Sequence, residues 1–321
     1  MASANASKLS LYGGIVANIA IAISKFIAAY FTGSSAMLSE GIHSLVDTGN
    51  GGLLLYGVNQ SQKPADARHP FGRSKEQYFW GLIVAVLIFA IGGGMSFYEG
   101  IKHIQHPVEL ENPKWNYVVL GVSLAFEGLA TFLAIKALRA SSVGGSFVHM
   151  LRTSKDPAAF ASVMENLAAL VGLLLALGGV FFGHVLANPY LDGGASVAIG
   201  LLLMGVAVFL VSRTHSLLVG VGVDDIILAG VQEIARAQPG VTRIRQPLTM
   251  YLGPSDVILA LDVDFHDDFT AVQVEQTIDA LQNAIRVRYP EFLRIFIEAK
   301  SITGHPTETP TNPTTPAPTG R

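Results

Sequence analysis

Over the first two thirds of this chain, apolar residues come in long runs rather than alternating with polar ones. A helix that crosses the hydrocarbon of a bilayer needs about 20 predominantly apolar residues. Six stretches qualify, at roughly 11–31, 37–59, 79–101, 116–138, 158–182 and 195–213. Aromatic residues near several of their ends, Tyr30, Tyr78, Phe79, Trp80, Trp115 and Tyr117, suit the interfacial belt where amphipathic rings settle. The pattern predicts an α-helical membrane domain of six transmembrane helices over residues 1–213.

Beyond it the runs shorten. Residues 224–238 carry an amphipathic helical pattern that stops at Pro239-Gly240. A strand is expected over 243–252, with Pro247 marking an edge. Gly253-Pro254-Ser255 reads as a turn, 256–265 as a second strand, 270–289 as a helix and 293–299 as a last strand. This αββαβ order fits a ferredoxin-like α+β domain over 214–300, placed in the cytosol. Residues 301–321 are rich in Thr and Pro, build no core, and are expected to be a disordered tail.

Composition agrees. Half of the 321 residues are hydrophobic, mean hydropathy is +0.44, and 14% are charged, against about 25% in soluble domains. A net charge of −3 argues against a nucleic-acid partner. With no cysteine, neither a disulfide nor a thiolate metal site can form. The first ten residues are polar and the first apolar run is long enough to span, so no cleavable signal is expected. Lys63, Arg68, Arg73 and Lys75 follow the second run; Arg139, Arg152 and Lys155 follow the fourth; Lys8 precedes the first and Arg213 ends the sixth. The opposite loops hold little more than Lys102 and Lys114. This asymmetry puts both termini in the cytosol, and the expected location is the cell (inner) membrane.

Charges inside the apolar runs carry the functional information. Lys25, Glu99 and Lys136 lie towards helix ends and are expected to reach the interface. Deeper groups are costly, about 2.5–3.5 kcal/mol at the bilayer centre on insertion scales, and so require a reason. In the second run His43 and Asp47 are four residues apart, one turn on the same face, with Glu40 three residues before His43 on nearly that face. An imidazole and a carboxylate so placed can hold one tetrahedral divalent ion. Glu165 in the fifth run, followed by Asn166, completes a three- or four-ligand site if it faces the second helix, with Ser162 or water as further donors. The candidate metal ligands are therefore His43, Asp47, Glu165 and Asn166.

Blander readings compete. A lone buried histidine is more often a hydrogen-bonded core residue than a ligand; Asp47 one turn on and a second membrane carboxylate tip His43 the other way. For Glu127 in the fourth run the bland reading is favoured, a protonated carboxyl bonded to a neighbouring helix, over a proton carrier. Gly92, Gly93 and Gly94 suit close helix packing or bending.

SSAMLSEGIHSLVD in the second run, DARHPFGRSKEQ after it, the six-helix order and the αββαβ domain resemble the cation diffusion facilitator family of divalent-metal transporters over about residues 8–300. The resemblance implies a homodimer that exchanges cytosolic zinc or another divalent ion for protons by alternating access, with His43 and Asp47 as ligands. The chain departs from the family in four places. Ala161 stands four residues before Glu165, where the family has the first ligand of a pair, and the stretch is similar instead to a branch with Leu-Glu-Asp there. Arg73 replaces the second His of the loop motif, which with the Asp at 66 forms a loop metal site in bacterial zinc exporters; a fixed cation opposes such a site at Asp66 and His69. Lys75 matches a lysine that pairs in some members with an Asp after the sixth helix, where Val219 stands here. In the last domain Glu298 and Lys300 occupy positions where zinc-exporting relatives have ligands, with Asp262, Asp264 and His266 nearby. That domain is expected to dimerise by packing, without structural zinc.

The expected function is export of a divalent metal, Zn2+ foremost, because His plus carboxylate suits it; Fe2+, Co2+, Ni2+, Cd2+ and Mn2+ stay open, Mn2+ less favoured for its all-oxygen preference. Two other classes stay open. One is a membrane metal-binding protein that does not transport. The other is a proton-coupled transporter of another solute, with His43 and Asp47 as relay. No catalytic residue and no permanently bound cofactor is expected, and the partners are the bilayer, the ion, protons and a second copy.

Overall fold

The computed structural model describes residues 18–108, 114–141 and 155–300, without the side chains of 137–141. Lys8, Arg152, the Arg139 side chain and the tail from residue 301, which entered the expectations above, lie outside them. The chain divides into two compact units between Val221 and Gly222.

The first unit is helical. Its elements are α1 (Asn18–Thr32), α2 (Ser35–Ser61), α3 (Glu76–Gln105), α4 (Lys114–Ser141), α5 (Pro157–Val185) and α6 (Tyr190–Val219). Among the described residues, α3, α4, α5 and α6 are long and apolar enough to cross a membrane. These helices overrun the expected spans because a helix continues past its apolar stretch until a cap or breaker ends it. At the α1–α2 junction, Gly33 takes φ 71° and its N–H bonds to Ala29 O at 2.9 Å. Ser34 then caps α2, accepting from Met37 N at 3.1 Å. Asp156 caps α5 through Ala158 N and Ala159 N at 2.9 and 3.1 Å, with Pro157 in the first turn.

Within this unit α6 packs against α3 and α5, α5 against α4, and α2 against α3, α5 and α6. The three glycines at 92–94 serve both expected uses. Residues Ile88–Gly93 form a π-helical turn inside α3. Gly93 also lies so close to α6 that an added Cβ would sit 3.1 Å from Gly200 O. Val118, Val122, Phe126, Leu129 and Leu133 form an exposed apolar stripe along α4, the surface a helix turns to lipid.

The expectation for Lys25 does not hold. It does not reach an interface: it is 0% exposed and ion-paired to Glu40, which is also 0% exposed, at 3.1 Å. A buried ammonium with a carboxylate within reach gains more from pairing than from stretching to water. Glu99 pairs with Lys102 at 3.6 Å, and Lys136 is exposed.

The second unit follows the order α7 (Asp225–Arg236), β1 (Val241–Ile244), β2 (Leu248–Gly253), β3 (Asp256–Phe265), α8 (Ala271–Arg288) and β4 (Arg294–Ala299). The strand expected over 243–252 is broken in two, because Pro247 lacks the N–H a continuous ladder needs. Strand β1 runs antiparallel to β3 with Ile244 opposite Val263; β4 runs parallel to it with Val263 opposite Ala299; β2 also pairs with β3. On the central β3 Val257, Leu259, Leu261 and Val263 alternate into the core, 0–1% exposed, against Leu281 and Ile285 of α8 and Val231 of α7. Thr270 and Gln273 form a capping box at the start of α8.

Candidate metal centre

His43 and Asp47 lie on one face of α2, with His43 Nδ1 3.4 Å from Asp47 Oδ1. Donors bonded at about 2.0–2.1 Å to one tetrahedral ion stand about 3.4 Å apart, so the pair already has the spacing of two ligands. His43 is 2% exposed, and its Nε2 has no hydrogen-bond partner among the described residues. A core histidine held only for packing would have that nitrogen satisfied.

Asp47 opens onto a cavity of about 160 Å3, lined also by Asn18, Ser44, Glu127, Ser162, Glu165 and Asn166. The structure thus brings Asp47, Glu165 and Asn166 to one space, along with Ser162; His43 stands behind Asp47 and is not part of the wall. Glu165 is 8% exposed and accepts from Asn50 Nδ2 of α2 at 2.9 Å. Asn166 contributes its backbone carbonyl to Thr131 Oγ1 of α4 at 3.3 Å. Among the described residues no three His, Asp or Glu side chains stand close enough together to hold an ion. The carboxylates converge on the cavity without yet closing around a point.

Two residues near this cavity, Asn50 and Asn18, escaped the sequence reading. Asn50 lies three residues beyond Asp47, so Glu40, His43, Asp47 and Asn50 make one helical stripe at spacings of 3, 4 and 3; extending the stripe one step would have found it. Asn18 left no signal, a single amide near the start of an apolar run. Glu127, weighed in the sequence, shares the cavity wall with Asp47 and Glu165. Its position was visible; the facing helices were not.

In the loop after α2 the Asp66 carboxylate is already engaged by its neighbours. Asp66 accepts from Arg73 Nη2 at 2.8 Å, from the backbone N–H groups of Arg68 and His69 at 2.9 and 2.7 Å, and lies 3.0 Å from His69 Nδ1. The Arg73 guanidinium foremost, then His69, holds the Asp66 carboxyl well below the usual carboxylate range. Lys75, with no aspartate partner among the described residues, donates to Leu218 O at 3.3 Å near the C-terminus of α6, where the helix dipole favours a cation.

Comparison with known proteins points the same way as the cavity. The family model described as the cation efflux transmembrane domain matches residues 11–219. The chain is similar to the mitochondrial proton-coupled zinc antiporter SLC30A9 of Xenopus laevis, 34% identical over 278 residues that cover 85% of this chain and 50% of that protein. It is similar to metal tolerance protein C4 of Arabidopsis thaliana, 30% identical over 244 residues, 75% of this chain and 53% of that one. The cation-efflux pump FieF of Escherichia coli O1:K1 / APEC is 27% identical over 289 residues, 87% and 91% of the two chains. The chain spans about half the length of the first two of these relatives.

Proposed function

Because the chain belongs to the cation diffusion facilitator family, we propose that it moves a divalent metal ion, Zn2+ foremost, across a membrane in exchange for protons. The observation that carries the reading is the shared cavity: Asp47 with His43 behind it on α2, facing Glu165, Asn166 and Ser162 on α5. Its volume of about 160 Å3 suits an ion with a few waters and is below the roughly 300–1,000 Å3 of organic-ligand pockets, which disfavours a larger solute. A site built from His and carboxylates must release protons to bind metal, and it gives exchange when it opens to each side in turn. The ion would draw α2 and α5 together, since His43, Asp47 and Glu165 do not yet meet at one point.

The same reading takes all six helices as spans. At 1.5 Å per residue, the 27 residues of α2 reach about 40 Å, and its polar stripe is what lowers its hydropathy. Residues 214–300 would form a ferredoxin-like cytosolic domain that joins two copies without zinc, and the membrane would be that of the cell. Relatives named as mitochondrial make organelle fractionation the check on that location.

Purified protein in proteoliposomes tests the function. Zn2+ uptake should accelerate with an opposing proton gradient while membrane potential is clamped. Flux indifferent to the gradient removes proton coupling, and metal binding without flux removes transport.

A further inference from the structure

Lys25 on α1 is wholly buried, and its ammonium donates to Glu40 Oε2 at 3.1 Å and to Ser44 Oγ at 2.7 Å. Ser44 lines the cavity with Asp47, Glu127 and Glu165. One hydroxyl therefore stands between a fixed positive charge and the space the ion would occupy. Asn18, seven residues before Lys25 and so two turns along the same face of α1, lines that cavity too, while Lys25 itself lies behind Ser44 and is not part of the lining. Glu40 does not line it. Its Oε1 has no hydrogen-bond partner among the described residues and lies over Gly172 of α5, at a point where any side chain would collide with it.

We propose that Lys25 is a built-in counter-cation of the transport site. It neutralises Glu40, so that this carboxylate adds nothing to the negative charge facing the ion, and its own charge, one hydroxyl behind the wall at Ser44, lowers the affinity for a divalent cation. A carrier needs this, because an ion held by several buried carboxylates and a histidine in a low-dielectric space would bind without leaving. The proposal rests on the reading of the cavity as the transport site. It differs from a purely structural role in sign. A structural ion pair loses the site's geometry whichever partner is removed. A counter-cation makes the two removals act oppositely on metal affinity.

The experiment measures equilibrium Zn2+ binding by calorimetry on the full chain in nanodiscs, for the native protein, Lys25→Met, Glu40→Gln, the double variant and Asp47→Ala. Lys25→Met is expected to tighten binding about tenfold or more, Glu40→Gln to weaken it by a similar factor, and the double variant to return near the native value. Should Lys25→Met not fold, comparing Glu40→Gln with the double variant reads the same quantity: loss of the lysine must tighten binding in that background as well. Weaker binding on removal of the lysine in either background overturns the proposal. Asp47→Ala separates the two ideas. If it binds Zn2+ like the native protein, or the native protein does not bind, the transport-site reading fails and takes this one with it. If it loses binding while Lys25→Met and Glu40→Gln both weaken it, only the counter-cation is wrong.

Discussion

Asn50 on α2 donates a hydrogen bond from Nδ2 to Oε1 of Glu165 on α5, at 2.9 Å. This bond joins the helix that bears His43 and Asp47 to the helix that bears the third candidate ligand. It also orients the carboxylate of Glu165, which lines the cavity.

From this bond it follows that Glu165→Gln should weaken Zn2+ binding at least tenfold, since it removes a charge while keeping the shape. Asn50→Ala should weaken it less, by a few fold, because it only frees the carboxylate to rotate. Titration of the two variants side by side checks the order. Equal affinity in Glu165→Gln and the native protein would return the α5 contribution to Asn166 or Ser162.

His43→Ala and Asp47→Ala should each abolish metal flux in proteoliposomes while the protein still reaches the membrane and purifies as a folded species. Among the described residues His43 Nε2 has no hydrogen-bond partner, so the His43 variant is expected to lose a ligand nitrogen without breaking a hydrogen bond of that atom. Normal flux in either variant sinks the assignment of the pair.

Asp192 should matter for stability more than for binding. It is 0% exposed near the start of α6, and it accepts from Ser34 Oγ and Ser35 N at 2.6 Å each, Ser35 Oγ at 3.0 Å and Ala36 N at 3.3 Å. A buried carboxylate thus anchors the N-terminus of α2, where the helix dipole favours it. Asp192→Ala leaves those donors unmet, and bonds to charged groups contribute about 1.5–3 kcal/mol each. A large fall in the unfolding temperature in detergent is expected; a variant as stable as the native chain would show that the anchor is dispensable.

In the second unit the Tyr251 hydroxyl is pushed up to about 12, by burial first and by the nearby carboxylates of Asp224 and Glu291 second. The folded state then keeps a proton that the unfolded chain gives up above its ordinary value near 10. Stability from this group is complete below pH 10 and is lost as pH rises from about 10 towards about 12. Tyr251→Phe should flatten that alkaline decline in thermal unfolding. An unchanged slope would place the sensitivity in other groups.

Much of this protein is determined by the order of its residues alone. Length and apolarity of the runs set the helices, because a bilayer admits few alternatives for a backbone that must satisfy its own hydrogen bonds. The His43–Asp47 pair was legible because both residues lie on one helix, where a four-residue spacing is a distance. The alternation of Val257, Leu259, Leu261 and Val263 was legible for the same reason in a strand. What the order of residues left undecided is which helix faces meet. Glu127 and Asn18 reach the cavity, Lys25 turns to Glu40 and not to an interface, Asn50 holds Glu165, and Asp192 caps a helix more than 150 residues before it in the chain. Each of these is a contact between polar groups on different helices. In a medium without water, a polar group takes the partner that packing brings within reach. Helix periodicity gives the side of the cylinder, and only the packed bundle decides what lies across from it.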